Sequence, residues 1–478
     1  MNTATQSIPA SVPASRPIPP AAFEVLGYLS VVGIATLCFV LGWLSPNGAV
    51  VITVVLLAAL IVLSWVRFDR GRHPCFLFLC MLMLFQGGRL IGYCLGRIAD
   101  PFLVEAMVDA PFGISRDQAG IVMLSIVLSA ICVYAPCRWN YRRISPPTDV
   151  AVRRYLPYLH LVFFSSLPFL LYKNYLYYRY IRGHGGYMVF FSDYGHLAAS
   201  VPLVVRAVAL LTLPVLVAIF VFENRKKLLY TVVALYFCSS VVILLTGTRM
   251  GLFSLILTLW YVARIKSTRD TRIWRVVVLA AALVVVANLI GLARSGEDGE
   301  GRSAVDPVGF IATQGVSLAV TEVAVVHRNL FKPYVVSYLL HELQIEFISS
   351  DVSSYFRGRQ FGFDVSVFLN PYMFKQGFAT SGAYVGEAYV VGGILGVIVI
   401  SLLIGGGLRF MHASSRNAAM LLLVALALPE VLLLPRGYLL GWGSALIRAF
   451  VLLVPLALGW SLYQLVTSVV KTPLIKCE

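Results

Sequence analysis

Predominantly apolar stretches of about 20 residues recur along this chain between short polar connectors, and about 20 helical residues is the length that crosses a hydrocarbon core. These runs lie at 24–44, 48–66, 75–95, 118–137, 155–173, 200–222, 228–246, 250–264, 275–293, 384–408, 417–435 and 440–466. A chain in lipid must pair every backbone N–H and C=O within itself, and the period-2 alternation of a membrane barrel is absent. The runs therefore predict an all-α, polytopic integral membrane protein with about 12 transmembrane helices. Only 294–384 breaks the rhythm. It is too long for a structureless loop, and two of its stretches, VGFIATQGVSLAVTEVAVVHRNLF (308–331) and PYVVSYLLHELQIEFISSDV (333–352), carry apolar residues at helical spacing. They predict short helices at or just above the interface, with a re-entrant segment at 308–326 as the alternative. The chain thus divides into a flexible Pro, Ala and Ser-rich tail (1–22), helices one to nine (23–293), a large outward loop (294–384), and the last three helices with a short tail (385–478).

Charge gives this pattern its orientation. RFDRGRH (67–73), RWNYRRISPPTDVAVRR (138–154), ENRKK (223–227), RIKSTRDTRIWR (264–275) and RFMHASSR (409–416) alternate with connectors poorer in basic residues. The positive-inside rule makes all five cytoplasmic, with both termini. The outward set is then SPNG (45–48), 96–117, KNYLYYRYIRGHGGYMVFFSDYGH (173–196), TGTR (246–249), the long loop, and the turn at Pro435 and Arg436. A formal net charge of +16 would suggest nucleic-acid binding in a soluble chain. Here the basic residues sit in membrane connectors, and no nucleic-acid partner is expected.

Composition narrows the chemistry. With 59% hydrophobic and 13% charged residues, the chain has few polar groups to spend, so those inside or beside apolar runs stand out. The cysteines show no CxxC pair and none falls in the long loop, so neither a disulfide framework nor a zinc site is expected. The acidic turn Glu297, Asp298 and Glu300 reads as solvated sooner than as a cation site. Nucleotide and dinucleotide fingerprints are absent, and no cofactor is expected.

Arginines carry the candidate site. Arg249 follows Gly247 and Thr248 between two runs, where it either snorkels to lipid phosphates or clamps an anion with its planar guanidinium. Arg448 lies within the last run, where it either pairs with Glu430 or serves an anion site. Arg294 opens the long loop and Arg436 sits on the PRGY turn, so that with Arg249 three arginines occupy one membrane level. Such a cluster suits a diphosphate on a lipid carrier. Glu387 in GAYVGEAYVVGG is either a helix-start charge or a general base in a low-dielectric cleft, and His341 and Glu342 are the other base candidates. The aromatics of 175–194 read as an interfacial belt or as platforms for sugar faces.

At TGTRMG (246–251), in the long loop, and at SGAYVGEAYVVGGILG (381–396), the chain resembles the Wzy-type polymerases of bacterial surface polysaccharides. The likeness covers about residues 155–450 in layout and is sharpest at those motifs. It implies a metal-independent membrane glycosyltransferase of the GT-C type in the bacterial inner membrane, with its active face periplasmic. The growing glycan would leave undecaprenyl diphosphate for the terminal sugar of a new lipid-linked repeat unit. It also implies a polysaccharide chain-length regulator as partner, Arg249, Arg294, Arg436 and Arg448 as diphosphate ligands, and Glu387, His341 and Arg249 as catalytic residues. An O-antigen ligase-like enzyme and a flippase of the same lipid-linked oligosaccharide are the alternatives. The first is disfavoured by the isolated His341, the second by the lack of internal repeats.

The topology has a direct check. An impermeant thiol reagent added outside the inner membrane should label a cysteine placed at Ser303 and spare one at Ser145, and the opposite result would invert the orientation.

Overall fold

The computed structural model describes residues 21–462 apart from 41–43, 103–113, 140, 145–154, 185–193, 246–249, 268–271, 287–305, 343–359, 376–379 and isolated positions between 273 and 283 and between 444 and 457. All regular structure among the described residues is helical. In chain order the main helices are α1 (Ala21–Val40), α2 (Pro46–Arg67), α3 (Pro74–Phe85), α4 (Gly88–Cys94), α5 (Arg116–Arg138), α6 (Leu156–Gly183), α7 (Leu203–Phe222), α8 (Lys226–Leu245) and α9 (Met250–Lys266). They continue with α10 (Pro307–Gln314), α11 (Ser317–Val326), α12 (Val335–Glu342), α13 (Phe361–Leu369), α14 (Tyr384–Ser414) and α15 (Ala418–Leu433), the last running on into a 3-10 turn, Leu434–Arg436. Among the described residues six helical stretches, α10 and α11 together being one of them, are long and apolar enough to cross a membrane, or seven if the bent pair α3 and α4 counts as one span. The membrane character read from the runs is borne out. Of the about 12 spans expected, that at 275–293 falls largely, and that at 440–466 about half, on undescribed residues.

The basic connectors share one end of the bundle. Arg67 and Arg138 both reach Glu24, at 2.7 and 3.3 Å, and Tyr141 donates to Asp69 at 3.1 Å. His412 meets the Arg142 carbonyl at 3.3 Å, Tyr261 meets Ser415 at 3.1 Å, and Lys266 donates to the carbonyls of Phe220 and Glu223. Pieces of all five connectors thus touch residues at this end. At the other, Arg116 donates to the Leu44 carbonyl at 2.6 Å and Arg97 pairs with Asp306 at 3.0 Å.

Three expected elements differ in form. The run at 75–95 is two helices bent by 59° between Phe85 and Gly88. A Cβ at Gly88 would collide with the Ile311 carbonyl, and one at Gly315 with the Arg89 amide, so α4 and the α10–α11 step cross in backbone contact that only glycine allows. The run at 155–173 continues to Gly183, because KNYLYYRYIRG places Tyr177 and Ile181 one turn apart on the buried face against Leu197 and Val201. The first half of the predicted 173–196 loop is therefore helix.

The third difference concerns 308–331. Instead of an amphipathic helix on the interface, α10 and α11 lie within the bundle against α4, α5 and α14. Leu318, Val320, Thr321, Glu322, Val323 and Ala324 are fully buried. A segment as apolar as Ser317 to Val326, with Glu322 its one ionisable residue, belongs inside protein.

Helix α14 is also broken. Gly392 and Gly393 leave helical geometry, Gly393 with φ +62°. Tyr384 and Ser401, which a straight helix would hold about 25 Å apart, both hydrogen-bond Ser129, and a Cβ at Gly396 would collide with the Ala388 carbonyl. The chain therefore doubles back at the glycines, bringing Tyr384–Val391 against the later half. The carbonyl of Val390 accepts from Arg328 Nε at 3.2 Å.

The crossing yields a stability prediction. Gly315→Ala should destabilise the protein by about 1–3 kcal/mol, the usual cost of overpacking, because rigid backbone is what its Cβ would meet. Thermal unfolding in detergent beside Gly251→Ala, where a Cβ meets nothing within 4 Å, checks it, and equal midpoints would refute the contact.

Candidate functional site

The breaks in α3–α4 and in α10–α11 meet at the turn that follows α15. Gln86, between α3 and α4, donates through Nε2 to the Pro435 carbonyl at 3.0 Å and accepts from Thr321 Oγ1 at 3.0 Å. This amide ties the α3–α4 break to the carbonyl end of α15 and to α11. Arg436 comes next. Its Nη1 donates to Gln314 Oε1 at 2.8 Å, its Nε to Ser381 Oγ at 3.2 Å, and its guanidinium lies 5.5 Å from the Phe85 ring centroid. The start of the SGAYVGE motif is pressed onto the same turn, since a Cβ at Gly382 would strike the Gly437 carbonyl.

Two carboxylates cap the other side of the turn. Glu387 Oε2 accepts the Leu439 N–H at 2.6 Å and Glu342 Oε2 accepts the Leu440 N–H at 2.7 Å. Leu439 and Leu440 begin the last apolar run, where the first amides of a helix lack internal partners and favour negative charge. Glu387 thus serves a helix start, but of the following helix rather than its own. Both carboxylates are buried, and the second oxygen of each has no hydrogen bond among the described residues. One oxygen is fixed and the other remains able to take a proton. Burial pushes the Glu342 pKa up to about 7, against the pull of the Leu440 hydrogen bond.

Of the residues singled out in the sequence, the structure therefore brings together Arg436, Glu387 and Glu342. His341 stands beside Glu342 on α12, half-buried. Successive helix side chains point about 100° apart, and Glu342 is the one whose carboxylate reaches the turn. Arg249, Arg294 and Arg448 lie outside the described residues, as do Glu297, Asp298 and Glu300.

Sequence reasoning passed over Gln86, Gln314 and Glu322. Each is a polar residue within an apolar run, which is the signal that would have found them. Glu322 is fully buried in α11, and neither of its oxygens has a hydrogen bond among the described residues.

His73, Cys75 and Cys137 gather at the opposite, basic end, with ligand-capable atoms within 4.8 Å of one another. Two of their polar atoms make bonds within the protein. His73 Nδ1 caps α3 by accepting the Cys75 N–H at 3.1 Å, and Cys137 Sγ donates to the Gly405 carbonyl at 3.3 Å.

A family model described as O-antigen polysaccharide polymerase Wzy matches residues 26–464. No curated protein and no solved structure matches the chain.

The Glu342 carboxyl gives a pH prediction. Its folded pKa lies above the ordinary carboxylate value, so its contribution to stability is full below that ordinary value and is lost as pH rises through about 7. The unfolding midpoint should fall between about pH 4.5 and 7, and Glu342→Gln should flatten that slope. An unchanged slope would place the carboxyl in water.

Proposed function

The chain belongs to the O-antigen polysaccharide polymerase Wzy family, and from that premise we propose that it joins lipid-linked oligosaccharide repeat units at the periplasmic face of the inner membrane. The growing glycan leaves undecaprenyl diphosphate and is received by the terminal sugar of a new lipid-linked unit. The observation that carries this reading is that Arg436 and Glu387 bracket one short turn, a fixed cation and a buried carboxylate within a few residues of each other.

The chemistry follows from that pairing. An acceptor hydroxyl attacks the anomeric carbon of the donor glycan, the bond from that carbon to the diphosphate oxygen breaks, and the bonding pair leaves with the diphosphate. Negative charge grows on the leaving group, and a guanidinium already held in place stabilises it without reorganisation. Gln314, Ser381 and the face of Phe85 hold Arg436. Arg249, Arg294 and Arg448 complete the clamp in this proposal. The acceptor proton passes to the unpartnered oxygen of Glu387 while the Leu439 amide holds the other, with Glu342 as the second carboxylate of the site and His341 next to it. No metal is assigned a step.

Polymer ladders, read beside membrane levels of each variant, test the roles. Glu387→Gln should lower polymerisation by about 10²–10⁴-fold, the range for loss of a general base, with lipid-linked substrate still bound. Arg436→Lys keeps the charge and loses the fork that Gln314 and Ser381 fix, and should lose most activity. Normal ladders from Glu387→Gln would reduce that residue to a helix cap. A deletion strain should carry single repeat units on its surface lipid, whereas loss of every repeat unit would point to a flippase or a ligase.

A further inference from the structure

A cavity of about 260 Å³ lies between α7, α8, α9 and α15, away from the Glu387 carboxylate. Its origin is legible in the helices around it. Pro214 in α7 and Pro429 in α15 each remove a helical N–H. Gly251, Ser254 and Ala425 leave the volume between the helices unfilled, while Val217, Leu255 and Leu426 make it chiefly apolar.

The cavity is bordered by two helices that adjoin the arginine motifs in sequence. Gly251, in its wall, is two residues past Arg249 in TGTRMG. On its other side Pro429 and Glu430 lead along α15 to Arg436, six residues and about 9 Å farther on. An apolar chamber walled by membrane helices, one of which runs on to the Arg436 turn, fits an amphiphile with an apolar chain and an anionic head.

We propose that this cavity seats the part of the polyprenyl chain nearest the diphosphate of the lipid-linked substrate. The assignment rests on the polymerase reading for the identity of the lipid. Transfer of an apolar chain from bilayer to apolar cavity gains little by itself, so the cavity orders the chain and sets where the diphosphate meets Arg436. The first carbons of the tail lie against α9 and α15, and the sugar attached to the diphosphate is presented toward the Leu439–Leu440 turn.

Gly251→Leu is the sharpest test, because a Cβ there meets nothing within 4 Å and the longer side chain can occupy the chamber. With purified full-length protein in nanodiscs, binding of undecaprenyl diphosphate read by native mass spectrometry should weaken at least about tenfold, while inorganic diphosphate binds as in the parent. Unchanged affinity for the lipid would overturn the proposal. Should Gly251→Leu not assemble, Ser254→Cys gives an independent reading, since Ser254 lines the cavity and is buried. Undecaprenyl diphosphate should slow its modification by a bilayer-soluble maleimide, followed on the peptide 250–264, and phosphatidylglycerol should not. Equal protection by both lipids would make the cavity an ordinary lipid site and refute the assignment. Selective protection without polymer formation would remove the polymerase reading and leave this one standing.

Discussion

A helix that breaks inside a membrane releases backbone groups which lipid cannot bond, and each release must be met from within the protein. That requirement organises this structure. The end of α15 is met by the amide of Gln86 on the Pro435 carbonyl, and the reversal in α14 by the guanidinium of Arg328 on Val390. The start of the last apolar run is met by Glu342 and Glu387. The polar groups of the candidate site are thus the same groups that make its irregular backbone tolerable. Loss of one of them should affect both folding and chemistry, which is why conservative substitutions are more informative here than truncation to alanine.

The membrane class, the all-α architecture and the sharing of one bundle end by the basic connectors were legible because they follow from hydropathy and charge, which act residue by residue. Arg436, Glu387 and Glu342 were legible as candidates because ionisable groups beside apolar runs are costly. The form of the helices was not. Gly88 and Gly315 signal a crossing only when both are seen together, 227 positions apart in the chain. The reversal at Gly392 and Gly393 reads in sequence as one more glycine-rich packing face. Buried α11 was expected at the interface because its neighbours are charged, although its own ten residues carry only Glu322 and no basic group.

Cationic and anionic parts of the site are set by different constraints. Arg436 is held by side chains from elements flanking the turn, so its position depends on three packings at once. The carboxylates come from α12 and α14 and are held at adjacent backbone amides of the segment that follows Arg436. Cation and carboxylates thus meet on one short stretch of backbone while each is anchored to a different helix.

The doubling back of α14 has a consequence for how the chain can vary in length. Tyr384 and Ser401 are pinned to a single hydroxyl on α5, and Glu387 lies on the arm between one pin and the glycines. Adding or removing one residue between Tyr384 and Glu387 turns one side chain by about 100° relative to the other, so that either Tyr384 leaves Ser129 or Glu387 leaves the Leu439 amide. The number of residues between these two contacts is therefore fixed. This stretch is a ruler, and insertions in the protein must be accommodated elsewhere.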